Sequence, residues 1–421
     1  MRILFHNSRI LTMKDDKIIE GDLVVVNNRI AYIGSNSKEF APFDRVIECN
    51  KNLLMPGFKN AHAHSAMVFL RNRATNLNLQ DWLFNFVFPR EAKLIPSDVY
   101  HLNKVAYLEY LSGGITACFD HYFFPLEAAK AAEEVGMRTL LLATCDPGKT
   151  SVEDLERNYY FFKNKKEGLV SYIAGFHAEY TADDELIKET KEAIERLKCP
   201  FFTHISETKK EVEECFLRHG KTPLEFLFDQ DLFKYGGGGF HCVHLTEKEV
   251  QICKENHLSI VSCPGSNLYL DSGIAPLKKY LDNNINIALG TDGPASNETL
   301  DMFREMRLVL ELDQKINNGK HLVKPFDVLK MATTNGAIAM EMFDSDVLDI
   351  DKYADIILID CSTMNKDVVS DLVKCGQMSD VKLTMINGHI LYEDGKYFLK
   401  DSLEDIYSKV EEISRRIEKD L

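Results

Sequence analysis

Residues 170–205 read VSYIAGFHAEYTADDELIKETKEAIERLKCPFFTHI. VSYIAGFH is a short run rich in β-branched and aromatic residues, the texture of a buried strand. DDELIKETKEAIERL, residues 183–197, spaces its apolar side chains three and four apart on a charged background, the period of an amphipathic helix. PFFTHI returns to strand texture. Strand, helix and strand in this order make a βαβ unit whose two strands run parallel.

The same alternation extends in both directions. LLMPGFKNAHAH, GITACFDHY, RTLLLATC, GGFHCVHL, LSIVSC and INIALGTD read as further strands, and amphipathic stretches such as TEKEVQICKENH lie between most of them. Eight strands interleaved with helices is the count of a (β/α)8 TIM-like barrel, an α/β fold; an open doubly wound sheet is the alternative on alternation alone. Gly236 to Gly239 precede the sixth strand without the G-x-G-x-x-G spacing of a phosphate cradle, so a flexible loop is expected there. Both chain ends differ from this middle. ILFHNSRILTM, GDLVVVNNRIAYIG and RVIEC at the start, and ADIILIDC and VKLTMINGHILYEDGKYFL near the end, are short strands between turn residues. Asn387-Gly388 and Asp394-Gly395 are hairpin candidates.

Composition narrows the function classes. The 421 residues are 45% hydrophobic and 27% charged, an ordinary globular balance. Lysine and arginine number 50 against 65 aspartates and glutamates, a formal charge of −15. That charge repels phosphate backbones and anionic lipid heads, so neither a nucleic-acid nor a membrane partner is expected. No segment approaches the roughly 20 apolar residues of a membrane span. The start, MRILFHNSRILTMKDD, lacks a secretion signal's long apolar stretch and small-residue cleavage site. Ten cysteines are scattered from Cys49 to Cys375 without a C-x-x-C pair, the usage of reduced thiols. A cytoplasmic location is expected.

The polar strand ends carry the functional argument. In a (β/α)8 barrel all C-terminal strand ends open on one face, so residues far apart in sequence converge there. His62-Ala63-His64 places two imidazoles on one side of a strand, since i and i+2 project together. His204 ends PFFTHI with Glu207 just beyond, His241 stands in GGFHCVHL with His244 after it, and Asp292 ends INIALGTD. Any one of these has a structural reading, as a helix-capping Asp or a hydrogen-bonded core His. Together they would load one core with costly unpaired polar groups. A divalent cation removes that cost, and three histidines with one aspartate make a zinc shell. With an open position, such an ion lowers the pKa of bound water from 15.7 toward about 7, giving hydroxide at neutral pH.

PGFKNAHAH, THISE, HCVHL and LGTDG, in this order and spacing, resemble the amidohydrolase superfamily. Within it they are similar to the branch containing 5-methylthioadenosine/S-adenosylhomocysteine deaminases, chlorohydrolases and guanine deaminases. The likeness covers nearly the whole chain. It implies that residues 56–344 form the metal-dependent barrel and that residues 1–55 and 345–421 fold together as a small β-sandwich. It implies one divalent ion, zinc before iron, held by His62, His64, His204 and Asp292. No carboxylated lysine is implied, since the fourth strand ends on His177. Glu207 takes the role of general acid/base, protonating a ring nitrogen and then departing ammonia, while His241 and Asp292 orient or deprotonate the water. A first-turn helix carboxylate is the structural alternative for Glu207.

NLNLQDWLFNFVFPREAKL resembles the family stretch in which a Trp-Leu-Phe run precedes a glutamate that accepts from ribose hydroxyls, a role that falls on Glu91. A surface glutamate beside Arg90 and Lys93 is the alternative there. His177 falls on a substrate-contacting histidine, and SCPGSNLYLDSGIAP and TDGPASNETL resemble loops around the pocket. Relatives acting on S-adenosylhomocysteine present arginines after the third strand, whereas LLLATCDPGKTSVEDL contains none. Lys149, Arg71, Arg73 or an arginine of a neighbouring subunit are the available substitutes. The expected activity is therefore deamination of an adenine nucleoside such as methylthioadenosine, 5′-deoxyadenosine or adenosine, by a homo-oligomer. The rivals are a deaminase of a free purine, pterin or triazine, and a cyclic-amide hydrolase. A non-catalytic scaffold would lack a ligand or an acid, and none is missing.

Overall fold

The computed structural model describes residues 1–73, 77–145, 150–165, 168–364 and 367–419. Its central sheet has eight strands: Phe58–Ala63, Ile115–His121, Arg138–Leu142, Val170–Ala178, Phe201–Ile205, Gly237–His241, Ser259–Ser262 and Ile287–Leu289. They pair in sequence order without a reversal, so the open doubly wound alternative, which needs one, is excluded. First and last strands then meet. The Asp292 amide donates to the His62 carbonyl at 2.9 Å, and Thr291 and Asn60 exchange two bonds of 2.9 and 2.7 Å. This closes the sheet into the (β/α)8 barrel.

The connecting helices follow the apolar period. Asp184–Leu197 buries Leu186, Ile187, Thr190, Ala193, Ile194 and Leu197, is capped by Asp183 accepting from the Leu186 amide, and stops at Lys198 in the left-handed region. Inside the barrel, Phe119 meets Phe202 and Phe240 edge-on at 5.0 and 5.3 Å, and Phe202 stacks on Phe240 at 5.5 Å. This aromatic layer is the floor beneath the polar strand ends. The glycine run is a correction: Gly237–Gly239 lie within the sixth strand, not in a loop. A Cβ at Gly237 would stand 1.9 Å from the Phe201 carbonyl oxygen, and one at Gly238 2.0 Å from that of Ser259. The glycines are there because neighbouring strands approach too closely for a side chain.

The chain ends form one mixed nine-stranded sheet. Leu53–Pro56 joins its halves, pairing in parallel with Arg2–Leu11 and antiparallel with Ile356–Ile359. The sheet folds over a core that includes Phe5, Leu23, Val25, Leu54, Ile356 and Met385, and a turn from each half meets where Asn28 donates to Asn387 at 3.1 Å. Asn387-Gly388 and Asp394-Gly395 are both two-residue hairpin turns with positive φ at each position, as that turn chemistry demands. Buried Arg138, at the start of the third barrel strand, ties barrel to sheet through two bonds of 2.6 and 3.0 Å to Asp355. The last helix, Leu403–Lys419, packs on the barrel helix Pro96–Ser112. Among the described residues no helix is long and apolar enough to cross a membrane.

Candidate active site

The strand geometry sends His62 and His64 to the same end of the barrel, with the His62 ring stacked 3.8 Å above Phe240. His64 Nδ1 donates to the His121 carbonyl and His204 Nδ1 to the His177 carbonyl, each at 2.6 Å. Backbone carbonyls thereby fix both tautomers and leave each Nε2 lone pair facing inward. One ring nitrogen from each of His62, His64 and His204 lies within 4.8 Å of the others. Asp292 Oδ1 stands 3.4 Å from His62 Nε2 and 3.3 Å from His64 Nε2.

Burial holds the imidazoles neutral: His62 is pulled down to about 3, His64 is lowered, and His204 is pulled well below its ordinary value. For Asp292, burial acts upward, but His62, His64 and His241 outweigh it and hold the carboxylate well below its usual range. Neutral imidazoles facing a carboxylate do not make an ion pair; they are ligands in the state that binds a cation. Both nitrogens of His62 are buried without a hydrogen-bond partner, a costly arrangement in a dry core. A divalent cation among these four side chains satisfies the orphaned imidazole, so the residues fit the group.

Beside this set lie the proton-carrying groups. Glu207 Oε1 accepts from Ser272 at 3.0 Å, and Oε2 is 3.8 Å from His241 Nε2. His241 Nδ1 donates to Asn267 Oδ1 at 2.8 Å, which turns Nε2 toward Glu207 and Asp292. Burial raises Glu207, with the Asp292 charge adding to it. For His241 burial acts downward, but the Glu207 and Asp292 carboxylates outweigh it and the imidazole is raised. Asp292 Oδ2 accepts from Ser266 at 2.5 Å and Ser296 at 3.0 Å. Glu211 accepts from the Ser206 and Glu207 amides at 2.7 and 2.8 Å and so fixes the turn on which Glu207 sits.

A cavity of about 560 Å³ opens above these groups. His64, His204, Glu207, His241 and Asp292 line its base, while Trp82, Phe84, Phe88, Tyr122 and Leu270 make an apolar wall. Glu91 and His177 line it too. A π-helical turn at Leu83–Val87 precedes the short helix that carries Glu91; the residue is 8% exposed and its carboxylate faces Tyr122, which excludes a surface glutamate. Among the described residues, no lysine or arginine lines the cavity. Arg71 is engaged by Glu109 at 2.8 Å and Arg73 by Glu418 at 2.9 Å, so neither stands in for the absent arginines. Lys149 lies outside the described residues. His244 donates to the Ser272 carbonyl at 2.7 Å and holds a loop.

Of the residues named from sequence, His62, His64, Glu91, His177, His204, Glu207, His241 and Asp292 come together here. Sequence reasoning did not single out Ser266, Asn267, Ser272, Ser296 or His121. It also passed over Glu211, although Thr208-x-x-Glu211 is a capping-box signature.

Residues 53–391 match the amidohydrolase family. The chain is 36% identical to the 5-methylthioadenosine/S-adenosylhomocysteine deaminase of Caldanaerobacter subterraneus subsp. tengcongensis, over 99% of each chain. It is 35% identical to that of Pyrococcus furiosus, over 97% of this chain and 99% of the other. A zinc-bound adenosine deaminase from Xanthomonas campestris superposes with a TM-score of 0.92 at 28% identity, covering 99% of this chain and 98% of that one. The family match, the two relatives and the ligand-ready strand ends agree: the chain belongs to the amidohydrolase family.

Proposed function

We propose that this protein, a hydrolase of carbon–nitrogen bonds other than peptide bonds, deaminates an adenine nucleoside to the inosine analogue and ammonia. The observation that carries the reading is the buried Glu207–His241 pair, 3.8 Å apart, set beside four neutral or anionic ligand groups at the base of the cavity. The names of the relatives, deaminases of 5-methylthioadenosine/S-adenosylhomocysteine and of adenosine, support the substrate class. The proposed ligands are His62, His64, His204 and Asp292, holding one ion. Zinc is favoured because it is the ion in the Xanthomonas enzyme and suits three imidazoles with a carboxylate.

When bound, the cation supplies Lewis acidity, which brings the pKa of water from 15.7 toward about 7. His241 and Asp292 orient that water and accept its proton as it adds to C6 of the purine. Glu207, whose carboxyl is raised by burial, gives a proton to N1 and then, as a carboxylate, takes the proton left on the added oxygen and passes it to the departing amine. Ammonia leaves and the C6 carbonyl forms. Glu91 accepts from the ribose hydroxyls, and His177 contacts the substrate beside it. With no cation in the described wall, a 5′ substituent that is small and uncharged is preferred over an amino-acid tail.

The test is ammonia release from a panel of purine nucleosides and free bases, with metal content measured on the same sample. Turnover of adenine nucleosides at about one ion per chain supports the proposal. Turnover of free guanine, a pterin or a triazine in preference to every nucleoside overturns it.

A further inference from the structure

One histidine in the cavity wall has no part in the chemistry above. His121 ends the second barrel strand, is 2% exposed and lines the cavity, yet both its ring nitrogens are buried without a hydrogen-bond partner. Its carbonyl accepts from His64 Nδ1, so the main chain orients a ligand while the ring has no protein partner. Nor does the metal set account for the ring. His121 joins none of the described groups of three or more ligand atoms lying within 4.8 Å of one another. A buried N–H without an acceptor is rare because it is costly. In a cavity wall, the acceptor can arrive with the substrate.

The position of the ring selects that acceptor. Its centroid is 5.3 Å from the His64 ring and 5.4 Å from the His204 ring, at the reacting end of the cavity. The proposed sugar end is the one lined by Glu91. Adenine offers three acceptor nitrogens, N1, N3 and N7. The proposed reaction assigns N1 to Glu207, which follows the fifth strand. N3 lies across the ring from C6, whereas N7 shares an edge with C6 and its amino group. With C6 at the centre of the barrel mouth and N1 toward the fifth strand, that edge faces the first two strands. His121 stands there, and N7 is an acceptor with no proton of its own.

Resting on the adenine-nucleoside reading above, we infer that His121 donates a ring N–H to N7 and so holds C6 over the reacting centre. The experiment compares kcat/KM for adenosine, 7-deazaadenosine and 3-deazaadenosine in the wild type, His121→Leu and His121→Asn, with bound metal measured throughout. Intrinsic differences in ring reactivity cancel when the same analogue is compared across variants. The wild type should favour adenosine over 7-deazaadenosine by about tenfold or more beyond that intrinsic difference. His121→Leu should lose most of this preference and His121→Asn should recover part of it, with metal content and the 3-deazaadenosine ratio unchanged. Three results would overturn the inference: a wild type indifferent to N7, a preference that survives His121→Leu, or loss of metal in that variant without a change in preference. If metal-loaded wild type deaminates no adenine nucleoside, it is the proposed activity that fails; adenosine turnover with indifference to N7 sinks His121 alone.

Discussion

Replacing Glu207 by Gln preserves the side chain's shape and removes its capacity to carry a proton. The bond from Ser272 Oγ, 3.0 Å long, survives on the amide carbonyl, and such a bond contributes about 1 kcal/mol. The negative charge before the helix Lys209–His219 is worth about 0.3–1 kcal/mol. Full charges 3.8 Å apart on Glu207 and His241 would attract by about 4 kcal/mol at an effective dielectric of 20, an upper bound. Against these stands the cost of burying a carboxylate, which the amide avoids. The net effect on stability is therefore small. Proton transfer is different in kind: losing it slows turnover by about 10²–10⁴, or roughly 3–5 kcal/mol in the barrier. Stability and barrier are read separately. Glu207→Gln should keep its metal, unfold within a few degrees of the wild type and lose about 10²–10⁴ in kcat on methylthioadenosine or adenosine, measured by ammonia release. Turnover within about threefold of the wild type at full metal loading would refute the proton-carrying role and leave Glu207 as a helix-capping charge.

Dialysis against a chelator should abolish activity and added zinc restore it, while His62→Ala and Asp292→Ala should fall well below one ion per chain by elemental analysis; active, metal-free protein would end the four-ligand reading. Glu91→Ala should lower kcat/KM for nucleosides by about tenfold to a hundredfold, the worth of a charged hydrogen bond, and leave any turnover of free adenine unchanged. Methylthioadenosine, 5′-deoxyadenosine and adenosine should each exceed S-adenosylhomocysteine in kcat/KM by about the same factor, because no described lysine or arginine lines the cavity; equal or better efficiency with S-adenosylhomocysteine contradicts this. Glu305, buried and raised to about 7 from 4.5, contributes stability that is full below pH 4.5 and lost as the pH rises through 7. Relative to Glu305→Gln, the wild type should lose up to about 3 kcal/mol between pH 4.5 and 8 in urea unfolding; parallel pH profiles would show that burial does not shift this group.

What could be read from sequence followed from local patterns. A strand alternating with an amphipathic helix, repeated until eight strands are counted, specifies parallel pairing before any contact is known. His62-x-His64 and the Asp ending INIALGTD were visible because a polar residue at the end of an apolar run is itself the signal. The hairpins at Asn387-Gly388 and Asp394-Gly395 needed only turn chemistry. The Gly236–Gly239 run misled for the opposite reason. Nothing within the run shows that the Phe201 and Ser259 carbonyls leave no room for a Cβ. Likewise Arg71 and Arg73 looked available until Glu109 and Glu418 were found on them, partners 38 and 345 residues away.

The least legible part of the site is its aim. Asp292, His241 and Ser206, just before Glu207, have φ of 58°, 65° and 49°. Non-glycine residues in this left-handed region each cost about 1–3 kcal/mol and persist only where surrounding bonds over-determine them. Those bonds are on hand: Ser266 and Ser296 on Asp292, Asn267 on His241, and Glu211 on the amides of Ser206 and Glu207. Several come from the short helices Pro264–Tyr269 and Pro294–Asn297 that follow the last two barrel strands, whose residues carry no long apolar run. A strand continuing in extended geometry would send alternate side chains to opposite faces. The left-handed residue breaks that alternation at the strand end, and bonds from the helices that follow the strands hold the break in place. The strain and the hydrogen bonds that sustain it are thus one device, in which Glu207, His241 and Asp292 are turned onto the same point above the barrel.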